Sequence, residues 1–248
     1  MQKNTKTLLT ENLGVSEKIL DLISSSEDEI KDIFNELDDI AAYNQYKVLD
    51  AFQKNNISDR HFNWNTGYGY DDAGREALEC IYADLFKTEA ALVRPIIVNG
   101  THALTLTLAG ILRPGDELIY CTGGPYETLE EVIGIRGEGK GSLKEYGVSY
   151  KQIELNAEGE VDFDALEKAI TPKTKMVSSQ RSTGYSWRKA ITIEQLNELT
   201  SFIKNINPDI ICMADNCYGE FLDIKEPTEV GMDVIAGSLI KNPGGGLA

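Results

Sequence analysis

Hydrophobic positions follow a helical period through roughly the first sixty residues of the chain. Apolar side chains recur three and four residues apart, and acidic side chains fill many of the positions between them. The clearest run consists of Ile30, Ile33, Phe34 and Leu37. This spacing places the apolar residues on one helix face and leaves the acidic face in solvent. Ser26 and Glu29 match a capping box, which predicts that a helix begins near residue 26.

A second pattern starts near residue 90, where short apolar runs alternate with segments of helical period. A loop rich in Gly, Asn and Tyr (63–74) and the helical run GREALECIYADLF precede this change. The predicted strands are LVRPIIVN, DELIYC, VSYKQIEL, KMVSSQ, DIICMAD and DVIAGSLIK. The predicted helices between them are THALTLTLAGIL, ETLEEVIG, DFDALEKAI and IEQLNELTSFIKN.

This alternation predicts an α/β fold, with a mainly parallel central sheet flanked by helices and an N-terminal helical segment before it. The composition agrees, because 42% of the 248 residues are apolar, which excludes a wholly disordered or collagen-like chain. Ligands of parallel sheets bind at the carboxyl ends of the strands. The residues that directly follow each strand are therefore the candidates for function.

Charge and hydropathy exclude several kinds of partner. The chain has 24 basic and 40 acidic residues, a net charge of -16, and no basic block. Such a surface repels phosphate backbones, so we expect no nucleic-acid partner. No stretch reaches the roughly 18 apolar residues that a membrane span needs. The N-terminal sequence lacks the apolar core of a secretory signal. We therefore expect a cytoplasmic protein with no membrane partner.

The cysteines and histidines predict no metal site. The four cysteines are scattered without a C-x-x-C pair, and we expect them to be buried free thiols in a reducing compartment. The two histidines, His61 and His102, lie far apart in sequence. A His-rich metal site is therefore not expected.

Two strand ends carry groups that suit an anion and a cation. Gly100 and Thr101 open a helix after LVRPIIVN, and a glycine at a helix start lets a phosphate approach the free amides. A plain N-cap is the alternative. Asp215 ends the apolar strand DIICMAD, and a buried carboxylate there needs a cation, a metal or a protonated ring nitrogen. A capping or ion-paired aspartate is the alternative.

Two further strand ends carry a lysine and a tyrosine. Lys241 follows DVIAGSLI, and lysine is seldom buried without a partner. Desolvation makes such an amine nucleophilic, as in enzymes that bind carbonyl compounds covalently. A surface lysine beyond the strand is the alternative. Tyr126 lies beside flexible glycines, where its ring could stack on a planar ligand or simply pack the loop.

Together these groups match the requirements of pyridoxal 5′-phosphate. That cofactor needs an anion cradle for its phosphate, a carboxylate at its pyridine nitrogen and a lysine for its aldehyde. The chain presents a helix start, an aromatic residue, an acid and then Ser-x-x-Lys from Ser238 to Lys241, in that order. A Rossmann dinucleotide site is disfavoured, because no G-x-G-x-x-G follows the first predicted strand.

Several longer stretches carry a resemblance to a known family. They are TGYGYDDAGRE, VNGTHAL, GGPYETLEEVIG, SQRSTGYSWR, ADNCYGEF and GSLIKNPGGG. From about residue 63 to 248, the chain resembles the methionine gamma-lyase-related proteins, often labelled aluminium resistance proteins. These are fold-type-I pyridoxal phosphate enzymes of the Cys/Met metabolism group. The resemblance implies a fold-type-I transferase-like architecture, with a helical arm over residues 1–66 and a large cofactor-binding domain over residues 67–248.

The resemblance also implies a role for each matching residue. Lys241 would form the Schiff base with the cofactor, and Asp215 would pair with its pyridine nitrogen. Gly100 and Thr101 would bind the phosphate through the helix start. Ser238 would add a hydroxyl group to the same phosphate site.

The remaining aromatic residues depend on the assembly. Tyr126 would stack on the cofactor ring, as the aromatic residue of the related lyases does. In those lyases a tyrosine and an arginine of a neighbouring subunit also reach the phosphate, which implies a homodimer or homotetramer. Tyr68 or Tyr70 could be that tyrosine, whereas no arginine stands at the equivalent short spacing. The residues whose roles stay open are Arg75, His102 and Arg181.

The activity implied by the resemblance is a carbon–sulfur lyase that eliminates a β or γ substituent from a sulfur amino acid. Lys241, once displaced by the substrate amine, would remove the Cα proton. The alternatives are another pyridoxal phosphate reaction (aldolase, decarboxylase or aminotransferase) or an inactive truncated scaffold.

The sequence stops at NPGGGLA after a predicted strand. The family continues into a smaller C-terminal domain that supplies an arginine for the substrate carboxylate, and we expect that domain to be missing.

Overall fold

The computed structural model describes residues 3–65, 72–238, 240 and 241. The chain forms two compact units, Met1–Gln45 and Tyr46–Ala248. The sequence suggested a different division, into a helical arm (1–66) and a cofactor-binding domain (67–248). That division was based on function, and it stays a prediction.

The N-terminal residues are helical, as the period predicts. Helix α1 spans Lys3–Thr7 and continues into a π-helical turn, and helix α2 spans Glu17–Glu29. Helix α3 spans Lys31–Lys54. The predicted helix start near residue 26 is wrong, because Ser26 lies inside α2 and its carbonyl accepts a hydrogen bond from the Ile30 amide. A Ser-x-x-Glu pattern also fits the interior of a helix, so spacing alone could not locate the boundary.

The second unit contains a five-stranded parallel sheet. Its strands are β1 (Glu117–Tyr120), β2 (Ser149–Gln152), β3 (Thr174–Gln180), β4 (Ile211–Asp215) and β5 (Val234–Ala236). Their order across the sheet is β2-β1-β3-β4-β5, and every neighbouring pair is parallel. Gln180 pairs with Asp215, and Asp215 pairs with Ala236. The ends of β3, β4 and β5 therefore meet at one edge.

Helices cover both faces of this sheet, which confirms the predicted α/β class. The helices of this unit after α3 are α4 (Ala73–Phe86), α5 (Gly100–Ile111), α6 (Glu127–Ile133), α7 (Phe163–Ala169) and α8 (Ile193–Ile206). Helices α7 and α8 pack on the face that carries Ile119, Val177, Cys212 and Ala214. Helices α5 and α6 pack on the face that carries Leu118, Tyr120, Met176 and Met213. The alternation along each strand thus separates two cores.

One predicted strand is wrong. The run LVRPIIVN (92–99) forms turns and irregular backbone, and its side chains Leu92, Ile96 and Val98 are exposed. A strand needs a neighbour for its amide and carbonyl groups. Within the described residues the sheet ends at β2 and β5, and neither strand pairs with this run. Pro95 further weakens strand pairing because it has no amide hydrogen.

Across the described ranges, none of the helices combines the length and the apolar character needed to cross a bilayer.

Candidate functional site

The start of α5 packs against the loops that follow β4 and β5. A Cβ atom added to Gly100 would lie 3.4 Å from the Cys217 Sγ and 4.0 Å from the Ser238 Cβ. Asn99 caps this helix, because its Oδ1 accepts a hydrogen bond of 2.8 Å from the His102 amide. The missing side chain at residue 100 leaves the first backbone amides of α5 close to Ser238. Such a helix start attracts an anion.

Asp215 lies at the end of β4 with a carboxylate that is almost entirely buried. The residue is 4% exposed, and its Oδ1 accepts a hydrogen bond of 3.1 Å from the Cys217 amide. Burial raises the pKa of this carboxyl group, and the hydrogen bonds from Cys217 and the charges of Lys241 and Arg188 oppose that rise. Among the described side chains, no cation makes an ion pair with Asp215 within 4.0 Å. The geometry therefore suits a cationic group of a ligand.

Lys241 lies near Asp215. Its backbone amide donates a hydrogen bond of 3.2 Å to the Ser238 carbonyl. Its Nζ lies 4.2 Å from the centroid of the Tyr218 ring, which is a cation–π distance. The positive charge of Lys241 helps to lower the pKa of Asp215 against the effect of burial. Asp215 and Lys241 are 26 positions apart in the sequence. In the folded protein they are close enough for the charge of Lys241 to act on the Asp215 carboxyl group, so they share one electrostatic environment.

Tyr126 lies directly before α6, near two other tyrosines. Its ring centroid is 5.8 Å from that of Tyr185, and its hydroxyl donates a hydrogen bond of 3.4 Å to the Tyr185 hydroxyl. That hydrogen bond raises the pKa of Tyr126, and the nearby Tyr218 contributes to the rise. Tyr126 therefore lies at the same edge of the sheet as Tyr218, the residue whose ring faces Lys241.

Thr101 joins the start of α5 to the start of α6. Its Oγ1 lies 2.6 Å from the Oγ1 of Thr128, and either hydroxyl can be the donor. Thr101 also accepts at its carbonyl a hydrogen bond of 2.7 Å from the Thr105 hydroxyl. The structure thus brings together the six described residues that the sequence selected, namely Gly100, Thr101, Tyr126, Asp215, Ser238 and Lys241.

Other sequence candidates lie elsewhere or outside the described part. Tyr68 and Tyr70 lie outside the described residues. Arg75 is in the first turn of α4 and makes an ion pair of 3.5 Å with Asp72. His102 accepts a hydrogen bond of 3.4 Å at Nδ1 from the Val98 amide.

Arg181 supports the loop after β4 from inside the protein. Its Nη1 donates to the Asn216 Oδ1 at 3.2 Å and to the Gly219 carbonyl at 2.6 Å. Its Nη2 makes an ion pair with Asp223, and its Nε donates to the Ile191 carbonyl. The guanidinium group of Arg181 is thus occupied by contacts that hold the loop after β4. Arg181 therefore acts on the site indirectly, through the conformation of this loop.

Sequence reasoning missed several residues at this edge. They are Thr128, Arg188, Tyr218 and Glu220. Tyr218 and Glu220 fall inside ADNCYGEF, and Arg188 falls inside SQRSTGYSWR, so the motifs contained them. Nothing in the spacing separated these residues from their neighbours, because their contacts cross between loops.

The cysteines follow the prediction in part. Cys121, Cys212 and Cys217 are buried free thiols, and burial raises the pKa of each to about 12. Each of these three is therefore a neutral thiol near pH 7. The prediction is wrong for Cys80, which is free but exposed. Within the part of the chain that the structure describes, no group of three or more His, Cys, Asp and Glu side chains could hold a metal ion.

Comparison with known proteins identifies relatives of the chain. The family model for methionine gamma-lyase matches residues 19–248. The Bacillus subtilis (strain 168) protein YnbB is 52% identical over 223 residues, which cover 90% of this chain and 53% of that protein. The resemblance found in the sequence motifs is confirmed.

Two solved structures place the fold. A carbon-sulfur lyase involved in aluminum resistance from Clostridium novyi NT has a TM-score of 0.93 and 48% identity, and the match covers 100% of this chain and 59% of that one. The pyridoxal-5′-phosphate-dependent protein YhfS from Escherichia coli has a TM-score of 0.60 at 17% identity, covering 81% and 51%. The fold is that of fold-type-I pyridoxal phosphate enzymes. The chain spans between about half and three fifths of the length of these relatives.

Proposed function

Because the chain belongs to the methionine gamma-lyase family, we propose that it forms the cofactor-binding part of a pyridoxal 5′-phosphate-dependent carbon–sulfur lyase. The substrate is a sulfur amino acid, which loses a β or γ substituent. The observation that carries the proposal is the position of the buried Asp215 in one electrostatic environment with Lys241, beside the start of α5.

The residues present fit the phosphate group of the cofactor. Gly100 and Thr101 offer the first amides of α5, and the close approach of residue 100 to Ser238 adds a hydroxyl group. A helix start stabilises a phosphate through its unpaired amides and its dipole. The net charge of -16 makes such a local positive potential important for an anionic cofactor.

The residues present also fit the ring and the aldehyde. The Asp215 carboxylate is buried and has no described cation within 4.0 Å, which suits the N–H of a protonated pyridine. Lys241 is a primary amine in the same environment. Tyr126 offers an aromatic face at this edge for stacking.

The chain's own residues then divide the work of the elimination. Bound pyridoxal phosphate supplies an electron sink for the electron pair left when the substrate Cα loses its proton. Asp215 holds the proton on the pyridine nitrogen, which keeps that sink effective. Lys241 would hold the cofactor through its Nζ and would move the Cα proton of the substrate.

The experiment starts from the purified 248-residue protein mixed with pyridoxal 5′-phosphate. We expect a visible absorption band, and borohydride reduction should fix the cofactor's mass on the peptide that contains Lys241. Lys241→Ala should abolish both signals, whereas the exposed-lysine control Lys140→Ala should retain them. A covalent adduct retained in the Lys241→Ala protein contradicts the assignment.

The reaction is then identified by its products. Candidate sulfur amino acids are added to the loaded protein, and pyruvate, 2-oxobutyrate and free thiol are measured. Release of thiol with pyruvate indicates β-elimination, and release of thiol with 2-oxobutyrate indicates γ-elimination. Aldehyde, carbon dioxide or amino transfer without thiol would assign another reaction to the same cofactor. A loaded protein without any turnover would favour the inactive scaffold.

A further inference from the structure

A second buried carboxylate, Glu220, lies in the loop that follows Asp215 and contacts the segment that carries Lys241. Glu220 is 3% exposed, and its Oε1 accepts a hydrogen bond of 2.7 Å from the Ser238 amide. Glu220 belongs to the loop after β4, whereas Ser238 belongs to the segment after β5. This hydrogen bond therefore joins the two segments that bring Asp215 and Lys241 to the site.

Gly237 permits this contact through its missing side chain. A Cβ atom at residue 237 would lie 2.5 Å from the Glu220 Oε1 and 3.3 Å from its Cδ. Both distances are shorter than ordinary van der Waals contact, so a side chain there would displace the carboxylate. Residue 237 has no left-handed φ, so its backbone would accept alanine and only the space is restrictive.

The loop that carries Glu220 is held in an unusual conformation. Tyr218 has φ of 67° and Phe221 has φ of 61°, which are left-handed values that cost energy for these side chains. Such strain persists only where surrounding contacts determine the backbone. Arg181 supplies one of these contacts through the Gly219 carbonyl, and Glu226 supplies another by accepting the Phe221 amide at 3.0 Å.

The charges around Glu220 come from both sides of the site. Burial raises the pKa of its carboxyl group, and the negative Asp215 adds to the rise. The hydrogen bond from Ser238 and the positive charge of Lys241 act in the opposite direction. Glu220 is therefore in electrostatic contact with both residues assigned to the cofactor.

We propose that Glu220 is a positioning residue: its carboxylate holds the Ser238 amide, and thereby keeps Ser238 and Lys241 in place to bind the cofactor. The inference rests on the proposed function, because it assigns Glu220 a part in holding pyridoxal phosphate. The contact is made through an accepting oxygen, so an amide side chain of the same shape should replace the carboxylate.

The first test compares two substitutions by cofactor affinity, measured from the visible absorption on titration with pyridoxal 5′-phosphate. Glu220→Ala removes the acceptor and leaves the Ser238 amide unpaired, and affinity should fall about tenfold or more. Glu220→Gln keeps an accepting oxygen and should stay within about threefold of the unchanged protein. The exposed-carboxylate control Glu158→Ala should have no effect.

A second test removes the space instead of the acceptor. Gly237→Ala should weaken cofactor binding to a similar extent, because the new Cβ displaces Glu220. In the double variant Gly237→Ala/Glu220→Ala the two losses should not add, since the clash no longer exists. Amide hydrogen exchange at Ser238 in the cofactor-free protein should be faster in Glu220→Ala and unchanged in Glu220→Gln.

The outcomes separate this inference from the function on which it rests. If the unchanged protein binds no pyridoxal phosphate, the proposed function fails and the positioning role fails with it. If the protein binds the cofactor and Glu220→Ala binds it equally well, only the positioning role is overturned. A loss in Glu220→Gln equal to that in Glu220→Ala would also overturn it, because the hydrogen-bond acceptor would then be irrelevant.

Discussion

The loops that follow β3 and β4 are neighbours at one edge of the sheet, and they differ in what holds them. In the loop after β4, the polar residues Asn216, Glu220 and Glu226 are buried. Asn216 donates to Glu226, and Glu226 accepts the Phe221 amide. This loop is therefore held by polar contacts that water does not reach.

The loop after β3 turns its large side chains outward. Tyr185 is 84% exposed, and Trp187 is fully exposed. Arg188 ties this loop back to the end of β3, because its Nη2 donates a hydrogen bond of 2.9 Å to the Gln180 carbonyl. Burial lowers the pKa of Arg188, whereas the negative Asp215 raises it. The aromatic side chains themselves contribute little to holding this loop.

The difference separates two requirements of the proposed cofactor site. Groups that bind a charged cofactor must be preorganised, because moving them at the moment of reaction costs energy. The loop after β4 meets this requirement with a buried network beneath Asp215. The loop after β3 leaves Tyr185 and Trp187 exposed to solvent. Three substitutions examine this contrast, and the largest expected effect comes first.

Arg181→Ala should destabilise the protein by about 3 kcal/mol, measured by urea unfolding. The substitution leaves the Gly219 carbonyl and the Asn216 side chain without their buried donor. Arg188→Ala is the matched control, because Arg188 follows the same strand β3 but its guanidinium group donates to the Gln180 carbonyl and not to the loop after β4. This control should cost less than half as much. Equal losses for the two arginines would remove the contrast between the loops.

Glu226 should make stability depend on pH. Burial raises its pKa from 4.5 to about 7, so the folded protein keeps this proton over a range where the unfolded chain has lost it. Stability from this group is complete below pH 4.5 and is lost as pH rises toward 7. The loss is at most about 1.4 kcal/mol per pH unit, or up to about 3 kcal/mol in total.

Glu226→Gln isolates this effect because glutamine does not titrate and still offers an oxygen to the Phe221 amide. Urea unfolding of both proteins at pH 5 and pH 7 gives the comparison. The free energy of unfolding of the unchanged protein, relative to that of the variant, should decrease from pH 5 to pH 7. A difference that stays constant with pH would show that Glu226 is already ionised in the folded protein at pH 5.

Trp187→Ala should change stability by less than about 0.5 kcal/mol, because a fully exposed ring loses no buried contact. Urea unfolding again provides the measurement. A loss above about 1 kcal/mol would mean that the indole ring packs against protein in solution. The loop after β3 would then resemble the loop after β4 in what stabilises it.

The sequence predicted segments that contain all five strands, because short strand-like runs alternate with segments of helical period. Four of these strands lie in apolar runs, whereas β2 (Ser149–Gln152) is polar and lies within the longer predicted strand VSYKQIEL. The sequence also selected Asp215 and Lys241, since a charged residue at the end of an apolar run lacks a packing reason. The run 92–99 had the same apolar composition, yet it forms no strand. Apolar composition shows that a segment is able to form a strand. The strand forms only where a second segment lies beside it and accepts its hydrogen bonds.

The roles of Arg181 and Glu220 could not be predicted in the same way. Arg181 follows β3 and makes an ion pair with Asp223, 42 positions away. Glu220 accepts the Ser238 amide from 18 positions away. Both residues lie inside motifs that drew attention for other reasons. No local period reports which distant backbone group a buried charge will meet.

The amino-acid sequence by itself determined the order of helices and strands and the chemical types gathered at the strand ends. Both depend on periods of a few residues, which a chain carries locally. Only the tertiary structure decided which loop is held rigidly and which carboxylate meets which amide. Those contacts require groups from separate strands to leave water together, and their geometry exists only once the sheet has formed.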